Sequence, residues 1–187
     1  MGISSLKKLT FFAALILAGA SFSSQTTSAE HTSAAVEEIQ WLSWDEAIAR
    51  MATEPKKIFV DVYTDWCGWC KRMDATTFVD PAIVSLMDEH FYAVKLDAEQ
   101  RETIEYDSHT FVYRSDVGRR GVHELAYSLL DGRMSYPSYI YLSEEQQRIS
   151  ISPGYKDAET MKIELTFIGA DHYKSQSYED FRIGQGN

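Results

Sequence analysis

Two cysteines lie three positions apart in the segment Cys67-Gly68-Trp69-Cys70, and the 187-residue chain contains no others. A structural disulfide stabilises a protein most when it closes a long loop, and this pair closes almost none. A structural zinc site needs four ligands, and none of the five histidines stands at ligand spacing from the pair. The spacing therefore favours a redox-active pair, with metal binding and inert pairing as the alternatives.

A carboxyl group stands just before the cysteines, inside the apolar and β-branched run Ile58-Phe59-Val60-Asp61-Val62-Tyr63. Such a run is typical of a strand that is covered on both faces. Burial in such a strand raises the pKa of a carboxyl group and suits it to proton transfer. The alternative is that Asp61 points into solvent at a sheet edge.

The elements around these residues alternate between strand and helix. Ser43 and Glu46 form a capping box that opens a helix ending near Thr53, and Asp80-Pro81 is a typical helix start. Strand, helix and strand in this order indicate a βαβ unit with parallel strands. We predict helices over 44–53, 71–77, 81–90, 122–130 and 158–168, and strands over 58–63, 91–96, 138–142 and 147–152.

The segment from Asp97 to Gly121 is irregular, and we predict a hairpin that pairs residues 103–106 with residues 111–114 across a turn at 107–110. No internal repeat or second domain is visible. We divide the chain into a signal peptide with lead-in (1–29), a disordered linker (30–40), one domain (41–170) and a C-terminal tail (171–187) that holds a short helix near 178–181.

The stretch from Val60 to Lys71 resembles the active-site segment of the thioredoxin family, and the resemblance extends over residues 41–168. Thr77-Phe78-x-Asp80-Pro81 also resembles the subgroup that includes the C-terminal domains of bacterial periplasmic disulfide-reducing relays. The resemblance implies an α/β thioredoxin fold, in which helices flank a central mixed sheet. It places the 97–121 segment as an insertion before a cis-proline loop.

The resemblance also implies roles for the residues that react. Cys67 begins a helix, where backbone N–H groups and the helix dipole favour its thiolate. We therefore expect an exposed, attacking Cys67 and a more buried Cys70 that resolves the mixed disulfide. Asp61 matches the acid that the family places behind the second cysteine, and Lys95 matches the base that pairs with this acid. The alternative for Lys95 is a solvated surface lysine.

Five further residues are assigned by the resemblance to contact with a substrate: Trp66, Gly68, Trp69, Tyr136 and Pro137. Trp66 would cover the rim of the site, unless it is a core aromatic residue. Pro137 matches the family's cis-proline, and Tyr136 would touch the incoming chain. Trp69 stands where many thioredoxins have proline, so the reduction potential cannot be transferred from them. The insertion either frames a partner or is a surface hairpin.

The N-terminus has the pattern of a secretory signal. Lys7 and Lys8 precede the apolar run 9–18, which is shorter than the roughly 20 residues of a membrane-spanning helix. Cleavage is expected after Ala20 or after Ala29, and an uncleaved anchor is the alternative. No cysteine lies near either position, so a lipoprotein is not expected.

Charge and composition narrow the function further. The formal net charge is −10 with 25% charged residues and no basic run, which argues against nucleic-acid binding and adhesion to anionic lipid. We predict a monomeric, periplasmic oxidoreductase that reduces disulfides of proteins and is recharged by a membrane or periplasmic thiol donor. We expect no cofactor or metal, because the Cys67–Cys70 disulfide is itself the redox-active group. A binding module without turnover and a disulfide oxidase or isomerase are the alternatives.

Overall fold

The computed structural model describes residues 38–185 of the chain. The predicted signal peptide, both cleavage positions and the linker up to residue 37 lie outside the described residues. Ile39, which we placed in the disordered linker, is buried and packs in the core. No helix within residues 38–185 is long and apolar enough to cross a membrane.

Strands and helices alternate along the described chain. Their order is β1 (Trp41–Leu42), α1 (Trp44–Met51), β2 (Lys57–Tyr63), α2 (Gly68–Thr76), α3 (Pro81–His90), β3 (Phe91–Asp97), β4 (Ile104–Tyr106), β5 (His109–Phe111), β6 (Tyr113–Arg114), β7 (Val122–His123), α4 (Glu124–Leu129), β8 (Ser138–Leu142), β9 (Arg148–Pro153), α5 (Ala158–Gly169), a 3₁₀ turn (His172–Lys174) and α6 (Tyr178–Gln185).

Five strands form a mixed sheet in the order β1-β3-β2-β8-β9. β3 runs parallel to β1 and β2, whereas β8 is antiparallel to β2 and β9. β2 lies at the centre, so its side chains are covered on both faces, which explains its nearly continuous apolar run. The predicted central mixed sheet with flanking helices is confirmed.

Each face of the sheet carries its own core, because side chains alternate between the faces of a strand. Val60 and Ile140 point to the face that α1 and α4 cover. Phe59 and Tyr139 point to the face covered by α2, α3 and α5, and their rings stack 5.4 Å apart. Burying one large apolar side chain contributes about 1.5–3 kcal/mol. The apolar contacts on each face therefore stabilise the packing of the helices against the sheet.

Side-chain caps fix where the helices begin. The predicted capping box of α1 is present, with Ser43 and Glu46 bonding to each other's backbone N–H groups. Asp80 accepts hydrogen bonds from two N–H groups in the first turn of α3, and Asp157 caps α5. These bonds satisfy donors that a helix start leaves without partners.

The inserted segment differs from its prediction in two respects. The β4–β5 hairpin turns at Asp107 and Ser108 alone, both with positive φ, which is the geometry of a tight two-residue turn. The predicted helix over 122–130 begins only at Glu124, because the two preceding residues pair with Tyr113 and Arg114. Arg114 therefore belongs to β6 and not to the hairpin.

Candidate active site

The two cysteines lie at the start of α2, directly after the loop that follows β2. Cys67 is the N-cap residue, and its Sγ accepts a hydrogen bond of 3.1 Å from the Cys70 N–H. A disulfide joins the two residues, so the structure describes the oxidised form. The N-cap position places Cys67 Sγ beside the positive end of the helix, which favours a thiolate after reduction.

Both cysteines are buried in this oxidised form. Cys67 is 5% exposed and Cys70 is 2% exposed, so the expectation of an exposed Cys67 is wrong for this state. The disulfide and the hydrogen bond from the Cys70 N–H direct the Cys67 side chain towards the first turn of the helix. The expected order of exposure, with Cys70 more deeply buried, is present.

Two tryptophans flank the disulfide at the surface. Trp66 is 51% exposed and packs edge-on against Tyr136, while its Nε1 donates to Glu99 Oε1 at 2.9 Å. The alternative that Trp66 is a core residue is therefore wrong. Trp69 is 57% exposed and lies beside the ring of Tyr155. Both indole rings are available to contact another molecule.

The Tyr136–Pro137 peptide bond is cis, in agreement with the resemblance. Ser138 pairs with Val62 near the end of β2. The cis bond therefore lies at the same end of the sheet as the cysteine loop. Gly68 is exposed, and a Cβ added there would meet no atom within 4 Å.

Asp61 is a buried acid with one cationic partner. It is 1% exposed on the central strand, and its Oδ2 accepts a hydrogen bond from Lys95 Nζ at 2.7 Å. Burial raises the pKa of Asp61 to about 6, although the Lys95 ammonium lowers it. The alternative of a solvent-facing Asp61 at a sheet edge is wrong.

Lys95 joins the sheet to the helix that carries the cysteines. It lies opposite Asp61 on β3, and its ammonium also contacts Asp74 on α2. Burial lowers the pKa of Lys95, but the two carboxylates outweigh burial and the net shift is upward. The alternative of a solvated lysine is therefore wrong. Cys70 and Asp74 share one face of α2 because they are four residues apart, so this face lies over the Asp61–Lys95 pair.

Several residues of this region were not predicted from the sequence. Asp74 carries a sequence signal, since it stands one helical turn after Cys70. Glu99 and Tyr155 carry none, because only the fold brings them to the two tryptophans. Within residues 38–185, no group of three or more His, Cys, Asp and Glu side chains is placed to hold a metal ion.

Comparison with known proteins gives the family. The fold and the cysteine site together define a thioredoxin-fold protein of the disulfide oxidoreductase class. The family model Thioredox_DsbH, described as "Protein of unknown function, DUF255", matches residues 23–162. The chain belongs to this family.

Curated relatives match only a section of the chain. Human "Spermatogenesis-associated protein 20" is 33% identical over 81 residues, which are 43% of this chain and 10% of that protein. "Thiol:disulfide interchange protein DsbD" of Vibrio vulnificus (strain CMCP6) is 29% identical over 80 residues, which are 43% of this chain and 13% of that protein. The matched region thus spans about a tenth of the length of these relatives.

Solved structures agree with the fold. "DsbH Oxidoreductase" superimposes with a TM-score of 0.51 at 15% identity, covering 76% of this chain and 89% of that one. A putative disulphide-isomerase from Bacteroides thetaiotaomicron superimposes with a TM-score of 0.51 at 23% identity, covering 77% of this chain and all of that one. At these identities the likeness shows the fold alone.

Proposed function

We propose that this protein is exported to the bacterial periplasm and reduces disulfides of proteins through the Cys67–Cys70 pair. The signal-like N-terminus supports export, and the cysteine site supports thiol–disulfide exchange. The observation that carries the direction of the reaction is Asp61, a buried acid beneath the helix face that presents Cys70. Strongly oxidising periplasmic enzymes of this fold typically lack such a buried acid, and in a reductase the acid can take the proton from the resolving thiol.

The proposed cycle begins with the reduced pair. The Cys67 thiolate attacks one sulfur of a substrate disulfide, and the other substrate sulfur leaves as a thiolate that takes up a proton. The product is a mixed disulfide between Cys67 and the substrate. The helix N-terminus stabilises the negative charge of Cys67 before the attack. This stabilisation is lost once the sulfur is bonded, because the sulfur then carries no charge.

Cys70 resolves the mixed disulfide. Its thiol gives a proton to the Asp61 carboxylate, and the resulting thiolate attacks Cys67 Sγ. The substrate's second sulfur leaves and is protonated, so two electrons have passed from the cysteine pair to the substrate. A pKa of about 6 lets Asp61 be ionised near neutral pH and still be a useful base. Lys95 holds the carboxylate in place and tempers the pKa shift.

A thiol donor in the periplasm or its membrane must then return two electrons to the disulfide by the reverse exchange. No metal or bound cofactor takes part in the proposed cycle, and the protein acts as a monomer. The substrates are proteins, because Trp66 and Trp69 offer apolar contacts on both sides of the disulfide.

The reduction potential of the Cys67–Cys70 pair tests this proposal. Equilibration with a glutathione buffer, followed by mass spectrometry of the alkylated protein, gives this potential, and a value of about −270 mV is the one that a reductase requires. A value near about −120 mV would show an oxidant instead. A protein that equilibrates with glutathione but does not accelerate insulin reduction would favour the binding module without turnover.

A further inference from the structure

A cleft of about 690 Å³ opens beside the disulfide. Trp66 and Tyr136, which immediately precede the first cysteine and the cis-proline, form one wall. The opposite wall is the loop 117–121 of the insertion, which brings Arg119 and Arg120 to the cleft. The insertion therefore borders the place where a substrate disulfide must approach.

The charges that line the cleft are two arginines against one glutamate. Glu99 is engaged by the Trp66 Nε1 donor at 2.9 Å, and the Arg120 guanidinium lies 5.4 Å from the centre of the Trp66 ring. Within residues 38–185, neither Arg119 nor Arg120 forms an ion pair with a carboxylate. In a protein of net charge −10, this local excess of positive charge is distinctive, and guanidinium groups bind carboxylates strongly.

The arginine wall, which is the loop 117–121 that carries Arg119 and Arg120, is joined through hydrogen bonds to β2, the strand that leads to the cysteines. The Tyr113 hydroxyl donates to the Arg120 carbonyl and fixes the loop at its end. Just beyond the loop, the His123 N–H donates to the Ala98 carbonyl at 2.7 Å, and the Ala98 N–H donates to the Tyr63 carbonyl at 2.9 Å. Because these bonds hold the loop before any ligand arrives, binding there costs little ordering.

We infer that the cleft docks an acidic segment of the substrate polypeptide, next to the disulfide that is reduced. The inference rests on the proposed function and adds a substrate class to it. Arg119 and Arg120 would pair with carboxylates of the segment, while Trp66 and Tyr136 contact its apolar atoms. The volume suits several side chains of an extended peptide, and complementary charge gives specificity more than overall affinity.

Two matched substrates test the inference. Each is a pair of synthetic peptides joined by one disulfide, and the two differ only in carrying Glu or Gln beside the cysteines. With a small dithiol as electron source, we expect the protein to reduce the Glu substrate with a kcat/KM about fivefold higher, as expected for two exposed ion pairs. The Arg119→Gln/Arg120→Gln variant should lose this preference and reduce the two substrates with equal kcat/KM.

A second double variant controls for overall charge. Arg50→Gln/Lys162→Gln removes two exposed positive charges from helices away from the cleft and should keep the preference for the Glu substrate. Equal rates on both substrates in the natural protein would overturn the inference while leaving the proposed function intact. A preference that persists without the two arginines would overturn it as well.

The inference can be separated from failure of the proposed function. If no disulfide substrate is reduced, the proposed function fails, and binding is then tested directly with a Glu-rich peptide that lacks cysteine. In an NMR titration of the oxidised protein we expect the amide signals of residues 117–121 to shift, and to shift less in the arginine variant. Signals that stay unchanged in the natural protein would overturn the inference.

Discussion

At the scale of single residues, Asp61 is the feature that most needs explaining. An ionised carboxylate in an apolar strand costs free energy, and one cation offsets only part of this cost. Asp61 Oδ1 has no hydrogen-bond partner within the described residues. Lys95 neutralises part of the charge and is itself shared with Asp74. This partial satisfaction leaves the Asp61 carboxylate basic enough to accept a proton, as the proposed reaction cycle requires.

Asp61→Asn should slow insulin reduction by about 10-fold to 100-fold, because an amide fills the same space but accepts no proton from Cys70. The deficit should be largest above pH 6, where Asp61 is ionised in the natural protein. Steady-state reduction measured between pH 5 and pH 8 checks this expectation. Asp88→Asn, which changes an exposed carboxyl on α3, is the control and should leave the rates unchanged. Equal rates for Asp61→Asn and the natural protein at every pH would remove the proton-transfer role.

The same substitution should change the pH dependence of stability. Because folding raises the pKa of Asp61 from 3.8 to about 6, the folded state binds this proton more tightly than the unfolded chain does. Its contribution to stability is therefore complete below about pH 4 and is lost as the pH rises through 6. Urea unfolding of the oxidised proteins should show that the free energy of unfolding of Asp61→Asn rises relative to that of the natural protein as the pH increases over this range.

At the scale of elements, the inserted segment is ordered through its contact with the rest of the domain. β6 and β7 form a two-stranded ladder, and the loop between them forms a wall of the cleft. Gly121 ends this loop with a φ of +77°, which side chains other than glycine rarely adopt. A Cβ on Gly121 would lie 2.2 Å from the Tyr113 hydroxyl oxygen. The close approach of Tyr113 to the backbone is therefore what sets the position of the arginines.

Gly121→Ala should displace Tyr113 and loosen the arginine wall. We expect a loss of stability of about 1–3 kcal/mol, from the strained backbone and the clash, and a smaller preference for acidic substrates. Gly118→Ala is the matched control, since Gly118 also has a positive φ but a Cβ there meets no atom within 4 Å. Urea unfolding of both variants separates backbone strain from the clash. Equal losses in the two variants would mean that contact with Tyr113 does not matter.

At the scale of the whole molecule, the cysteine pair and helix α6, which covers part of the core, lie near opposite ends of the central strand β2. β2 begins at Lys57, which pairs with Glu144 and Asp171, and its other end leads to the cysteine loop. Seven residues of strand span about 20 Å. Near the Lys57 end, Phe181 of α6 packs against Phe167 and His172. The C-terminal helix therefore covers the core without approaching the disulfide.

Phe181→Ala should lower the free energy of unfolding by about 3 kcal/mol, because it leaves a cavity beneath a terminal helix. The rate of insulin reduction at 25 °C should stay unchanged, since the cysteine loop lies at the far end of β2. Ile183→Ala on the same helix is the control: its side chain is 57% exposed, and surface substitutions of this kind change stability by roughly 0.5 kcal/mol or less. A drop in the reduction rate of the folded Phe181→Ala protein would show that the two ends are coupled.

The sequence by itself determined the features that depend on neighbouring residues. The cysteine spacing indicated redox chemistry, the caps at Ser43 and Asp80 placed two helix starts, and the apolar run around Asp61 indicated a buried strand. These signals are local, because capping bonds and strand alternation join residues only a few positions apart. The pairing of Asp61 with Lys95 was accessible only through the resemblance to a known family, since 34 residues separate the two.

Only the tertiary structure decided which distant residues meet at the site. It placed Asp74 on Lys95, turned Trp66 out to the surface beside Glu99, and set Arg120 over the Trp66 ring. It also showed that the insertion, whose role the sequence left open, forms one wall of the cleft. The physical reason is that sheet register and helix packing fix these contacts, and no spacing along the chain records where an inserted loop will be tied back to the sheet.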